Sequence, residues 1–369
     1  MTWWRSMSTS DAEYRTTNAW GVHGQDGAVE TLRRALASGH LAHAYLVTGP
    51  RGVGKGTLAK RLAQTLVSPS ADDATVPDVT TRVARQIEAD ELPDVERVAI
   101  GGICDESNHD HAGDNSTRIR ICQVRRLERV ASLAAFAAPR RIFVVDVADE
   151  LQAEAGHALL KTLEEPPGGA ILVLLAADPD ALLPTNRSRR REIPLRPMSH
   201  ARLAAMLEAH AGIERGEAAT LGRLAHGRYG LAMRMHADPS LAVLRESVAS
   251  DVRRIARAGR NERFDYAERL AGAWSRERES VLATVDLWRD WWRDVLLAAV
   301  RAEVEVSPEA TEEAGGCTPA QATRALRAVQ AAREHLLANT NAQLALEVMM
   351  LDIPTLAPDR KEERTPTPA

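Results

Sequence analysis

Apolar positions along the chain follow two different periods. "HAYLVTG", "RRIFVVDVAD" and "AILVLLAADP" contain continuous apolar runs of strand length. Helical period fills the stretches between them. Val29, Leu32 and Leu36 share one face of residues 27 to 38, which Gly39 closes, and Leu58, Leu62 and Leu66 share a face of "KGTLAKRLAQTLV". Ile121, Val124, Leu127 and Val130 do the same across 121 to 136, with Pro139 as the breaker, and "LQAEAGHALLKTLEEPP" ends at a proline pair. Strands that are apolar on both faces and alternate with helices predict a parallel sheet covered on both sides. From "SHARLAAMLEAHA", with Ser199 as its N-cap candidate, to about residue 352 only helical period is found. "LAHGRYGLAMRM" reads as a helix–turn–helix junction near 227 to 230, and "EVEVSPEATEEAGG" as a break between helices.

Composition narrows this picture. The 369 residues suffice for two or three domains, and 44% hydrophobic with only 4% aromatic residues suits a helix-heavy protein rich in Ala and Leu. A net charge of −4 gives no global basic field, so any nucleic-acid contact must come from local patches such as Arg118 to Arg129. Three scattered cysteines argue against a disulfide framework and for a reducing compartment. No apolar run reaches the roughly 18 residues of a membrane span. Residues 1 to 18 read as a disordered leader and 355 to 369 as a disordered tail, while acidic, Pro-spotted residues 68 to 94 read as a surface excursion with one short helix.

Between the first strand and its helix stands "GPRGVGKGT". Gly49, Gly52 and Gly54 let backbone N–H groups curl around phosphate oxygens, and the helix start adds its positive dipole end. Lys55 would reach the β and γ phosphates. The metal position is altered: Gly56 stands where a Ser or Thr hydroxyl ordinarily meets magnesium, and Thr57 comes one place late. Asp146 ends the second apolar strand, where a carboxylate either holds a metal through water or merely caps the strand. The following position, which a hydrolysing enzyme fills with a carboxylate, is Val147, and Asp149 is expected to face elsewhere.

Arg187, Arg189, Arg190 and Arg191 in "NRSRRREIPL" read as a solvated face, an arginine finger for a neighbour's γ-phosphate, or a DNA contact. Cys104, Asp105, His109, His111 and Cys122 are ligand types, but their spacing fits no usual zinc pattern, so a loop insertion over 101 to 117 is the expectation. Trp288, Trp291, Trp292, Val295 and Leu296 lie largely along one side of a helix and predict a core or subunit-contact face rather than a base-stacking platform.

Together these stretches resemble a known family. "WGVHGQDGAVETLRRALASGHLAHAYLVTGPRGVGKGTLAKRLA" is similar to the opening of the bacterial DNA polymerase III clamp-loader AAA+ subunits. "ALLKTLEEPP", a strand and "LLPTNRSRR" resemble their most specific signature, which ends in a Ser-Arg-Cys motif, and "LANTNAQLALEVMMLDIP" resembles their collar helix. Two subunit types share this layout, the tau/gamma ATPase and delta-prime. Gly56, Val147, Ala176 with Ala177, and Gly230 stand where the motor carries its magnesium hydroxyl, catalytic carboxylate, sensor threonines and sensor-2 arginine. Ser188-Arg189-Arg190 keeps the trans-acting arginine, which is the delta-prime combination. Three features depart from that pattern as well: residues 67 to 100 lack the four-cysteine zinc module of many relatives, Arg190 replaces the motif's Cys, and His157 its usual Asn.

The resemblance implies a RecA-like AAA+ parallel-sheet domain over 19–197 (variable over 68–117), a small helical lid over 198–240 and an all-helical collar over 241–354. It implies a cytoplasmic stator without activity of its own, with Arg189 as an arginine finger in trans. Its partners would be the tau/gamma and delta subunits, with the sliding clamp met indirectly and primer–template DNA met within the assembly. ATP or ADP would be held weakly or without hydrolysis by Gly49, Gly52, Gly54, Lys55, Thr57 and Asp146, with magnesium at most accompanying it and no zinc. The alternatives are a tau/gamma-type ATPase and, from the wording "GKGT", a nucleoside monophosphate kinase.

Overall fold

The computed structural model of the chain describes residues 19–104, 111, 116–136, 138–177, 190–302 and 306–356. Two compact units are present. One holds the described residues up to Ala218 together with Gly227–Met233; the other holds Ala219–His226 and the described residues from Arg234 onward.

The first unit is built on β1 (Ala44–Thr48), β2 (Val95–Val98), β3 (Ile142–Val145), β4 (Ile171–Ala176) and β5 (Arg191–Pro194). All pair in parallel, in the order β2-β3-β4-β1-β5. The three continuous apolar runs are β1, β3 and β4, buried along their whole length. Side chains of a strand alternate between faces. Tyr45, Val47, Ile142, Val144, Val173 and Leu175 enter one core with Val29 and Leu32 of α1 (Asp26–Ala37) and Leu58 and Leu62 of α2 (Lys55–Val67). The excursion after α2 carries one short helix, α3 (Arg82–Glu88), capped by the Thr81 hydroxyl. Ala44, Leu46, Phe143, Val145, Leu172 and Leu174 enter the opposite core. There they meet Val124 and Leu127 of α4 (Ile121–Ala131) and Leu159 and Leu163 of α5 (Ala153–Glu164). A five-stranded parallel sheet covered on both faces is thus the fold of this unit.

Two differences from the sequence expectation have physical causes. β2 and β5 are edge strands, "VERV" and "REIP", in which only Val98 and Ile193 are fully buried. Neither carries the apolar run that marks an inner strand. Helical period suggested a helix to residue 136, yet α4 stops at Ala131. The buried Asp94 carboxylate accepts the backbone N–H groups of Phe136 and Ala138, both at 2.8 Å, and this tertiary capture replaces helical bonding.

Three helices follow the sheet, α6 (His200–Ala211), α7 (Arg215–Leu224) and α8 (Tyr229–Ala237). Ser199 caps α6, accepting from Arg202 N. The second unit is helical: α9 (Ser240–Arg257), α10 (Arg260–Ala273), α11 (Arg278–Ala299), α12 (Pro308–Ala314), α13 (Pro319–Leu337) and α14 (Ala342–Asp352). Trp288, Trp292 and Val295 are fully buried in its core and Trp291 nearly so, so the tryptophan face is a core face. The expected break near 303 to 316 contains α12, which Ser307 caps and Pro308 opens.

Candidate nucleotide site

The carboxyl ends of β1, β3 and β4 place the predicted site residues along one edge of the sheet, where open α/β sheets hold ligands. After Thr48 the chain enters the glycine loop, with φ of 136° at Gly49, 83° at Gly52 and 114° at Gly54, before α2 begins at Lys55. Two of these glycines are required sterically. A Cβ at Gly49 would lie 2.3 Å from Leu195 O, and one at Gly52 would lie 2.9 Å from Leu231 Cβ. Gly56 differs, because a Cβ there would meet nothing within 4 Å. Packing therefore leaves room for the absent hydroxyl. Thr57 is exposed on the first turn of α2.

The Lys55 ammonium donates to the carbonyls of Gly49 and Pro50, folding back over its own loop. Burial lowers it to about 8, against the raising pull of Asp149 and, after it, Asp146. A hydrogen bond at this edge of the sheet corrects the expectation that Asp149 faces elsewhere. Its Oδ2 accepts Ala177 N at 3.0 Å, just past the end of β4. Asp146 follows β3 as expected, but Arg97 of β2 holds its Oδ2 at 2.5 Å while its Oδ1 accepts Val147 N. Val147 itself adopts φ 48° and ψ 52°. A β-branched residue in the left-handed region carries strain of about 1–3 kcal/mol. No carboxylate stands at that position.

Ala176 pairs in register with Thr48, and its carbonyl accepts Gly49 N, so Ala176 and Ala177, which the resemblance set at the motor's sensor positions, lie beside the loop. Gly230, in the first turn of α8, also borders it: a Cβ there would lie 3.0 Å from Gly52 O. Four residues near the site were not anticipated. Arg228 is nearly buried, and its charge opposes that of Lys55. His23 packs against Tyr229 at 4.3 Å between ring centroids and against His210 at 4.9 Å. Burial, with His210 second, lowers the His23 imidazole. Only the spatial convergence of distant segments reveals these groups, although Arg228 and Tyr229 lie within the junction the sequence had marked.

Arg187 and Arg189 lie outside the described residues, as do Asp105 and His109. Cys104, His111 and Cys122, by contrast, are brought together, with their ligand atoms within 4.8 Å of one another.

The family described as "DNA polymerase III, delta subunit" matches residues 24–199. The Bacillus subtilis DNA polymerase III subunit delta' is 27% identical over 174 residues, 47% of this chain and 48% of the relative. The Mycobacterium tuberculosis subunit gamma/tau is 30% identical over 199 residues, 53% of this chain and 31% of the relative. The chain thus spans less than half of either relative's length. A solved Thermotoga maritima DNA polymerase III gamma subunit-related protein is similar at a TM-score of 0.40 and 16% identity, covering 88% of this chain and 97% of that one. The delta-family match contains the whole glycine loop and ends at Ser199, the N-cap of α6. Among the described residues no helix is long and apolar enough to cross a membrane.

Proposed function

We propose that this chain is a delta-prime-type subunit of a DNA polymerase III clamp loader, a stator that completes a neighbour's ATP site instead of firing its own. The carrying observation is at the end of β3. Asp146 is engaged by Arg97, and the next residue is a strained valine where a water-positioning carboxylate would stand. The absent hydroxyl at Gly56 acts on the same transition state, so the two losses compound. Gly49, Gly52, Gly54, Lys55, Thr57 and Asp146 remain a cradle for ATP or ADP held without turnover, with magnesium poorly held.

In this reading residues 19–197 form the nucleotide core, 198–240 the lid and 241–354 the collar through which tau/gamma and delta subunits assemble. The sliding clamp is reached through delta, and primer–template DNA lies within the assembly. A second reading, a slow tau/gamma-type ATPase, draws on one observation: Asp149, held by Ala177 N just past β4, is a second carboxylate at this end of the sheet. One preparation separates the two. The isolated chain should show no steady-state ATP hydrolysis above background, yet co-elute with delta and tau/gamma subunits as one defined species. Turnover by the isolated chain that Lys55→Ala abolishes would move the assignment to the ATPase.

The lowered Lys55 gives this cradle a pH signature. A phosphate ligand prefers the ammonium form, of which the empty site has lost half at about pH 8. Affinity for a nucleoside triphosphate should be flat below pH 7. Above pH 8 it should fall, approaching tenfold per pH unit. Isothermal titration calorimetry from pH 6.5 to 9.5 checks this, and Lys55→Met should bind weakly with no such slope.

A further inference from the structure

The glycine-rich insertion after β2 joins the sheet to α4, and the nucleotide site makes no use of it. We infer that Cys104, His111 and Cys122 form a zinc-type metal site that ties this insertion to the first turn of α4. Cys104 is fully buried and His111 nearly so, while Cys122 is the second residue of α4. Their Sγ, ring-nitrogen and Sγ atoms lie within 4.8 Å of one another, and His111 Nε2 is 3.2 Å from Cys122 Sγ. Tetrahedral zinc with its usual bond lengths holds such atoms about 3.5–3.8 Å apart, so the cluster needs to tighten by no more than roughly 1 Å.

The surroundings are built rather than accidental. His111 N donates to the carbonyls of Gly101 and Gly102, at 3.2 and 3.4 Å. Gln123, next to Cys122, donates through Nε2 to Ala99 O and accepts Arg120 N through Oε1. A Cβ at Gly102 would lie 3.2 Å from Gln123 Nε2, so this stretch is packed closely against the helix start. Both segments that carry the ligands are therefore already anchored.

Two thiolates and one imidazole select a borderline-soft cation such as zinc over magnesium or calcium. On binding, each thiol gives its proton to solvent and the imidazole lends a neutral lone pair, so two protons leave and the two thiolates balance the dication. Water completes the tetrahedron at the fourth position. The ligand order, Cys104-x6-His111-x10-Cys122, matches no usual spacing, so sequence inspection argued against zinc. The site also lies beyond residues 67 to 100, the stretch without cysteine.

Cobalt(II) and zinc(II) are the probes, added to the full reduced chain after chelator treatment. One equivalent of cobalt should give thiolate-to-metal absorption in the near ultraviolet and intense tetrahedral bands in the visible. One equivalent of zinc should erase both, and zinc added instead to the metal-free chain should release two protons to an indicator dye. Cys104→Ser, Cys122→Ser and His111→Ala should each weaken cobalt by more than about 100-fold, beyond what an outer-shell change costs. Cys317→Ser should leave it unchanged. Should the variants fail to fold, the native chain's spectrum and proton count decide alone. A spectrum without thiolate bands, or one that survives in both cysteine variants, overturns the site and marks any bound metal as an adventitious ion only.

Discussion

Reconstituted with delta and tau/gamma subunits, an Arg189→Ala chain should assemble normally and leave the neighbouring ATP site slow. An arginine finger supplied in trans is worth roughly 10³ to 10⁵ in turnover elsewhere in phosphoryl transfer. Several tau/gamma sites contribute to the total rate, so the full factor is expected only at the site facing this subunit. Single-turnover hydrolysis with one competent tau/gamma subunit isolates it. In the proposed reading the finger, Arg189, comes just before β5 in the chain. Arg191, two residues later, pairs with Tyr45 near the start of β1, whereas this chain's glycine loop follows Thr48 at the other end. The chain enters β5 away from its own nucleotide cradle. Arg189→Lys keeps the charge but loses the fork of donors, so it should recover little. If the alanine chain sustains full single-turnover rate within an intact assembly, the trans role is gone and only a scaffold remains.

The residues that were legible in the sequence are those whose reason for being there is local. β1, β3 and β4 are apolar on both sides because each side meets helices, and a continuous run announces that without knowledge of any partner. The glycine loop was legible because Gly49 and Gly52 answer to backbone shape. β2 and β5 were not, because charged Glu96, Arg97, Arg191 and Glu192 are half-buried or exposed in the edge strands and break the pattern. What stayed hidden at the site was long-range. Arg97 and Asp146 are 49 residues apart in sequence, and Asp149 meets Ala177 across 28. Cys104, His111 and Cys122 converge at the start of α4, which no ligand spacing encodes. α4 shows the same limit in reverse: helical period ran on, and a buried aspartate from elsewhere ended the helix.

The largest stability effect is expected from Arg263→Met in the helical unit. Arg263 lies on α10, is 5% exposed, and its hydrogen bonds go chiefly to backbone carbonyls. Nε donates to Ile255 O and Ala258 O, both at 3.1 Å. Nη1 donates to Met350 O and Ile353 O at 2.9 and 2.6 Å, and Nη2 to Ala256 O and Pro354 O at 3.0 and 3.3 Å. Ile255 and Ala256 belong to the last turn of α9, and Met350 to the last turn of α14, whose C-cap is Ile353. One guanidinium thus satisfies the terminal carbonyls of two helices and sits at the negative ends of both dipoles. Burial lowers its pKa, which marks the desolvation that these carbonyls offset. Methionine preserves most of the volume and removes every donor, leaving several buried carbonyls without this partner. The loss should be about 3–5 kcal/mol, a large share of the 5–15 kcal/mol that holds an ordinary domain. Urea unfolding followed at 222 nm measures it, with Arg263→Lys expected in between because three donors on one nitrogen cannot span both helix ends. A methionine variant within about 1 kcal/mol of the parent would mean that water takes over those carbonyls without loss, and that side-chain packing alone holds α9 and α14 around α10.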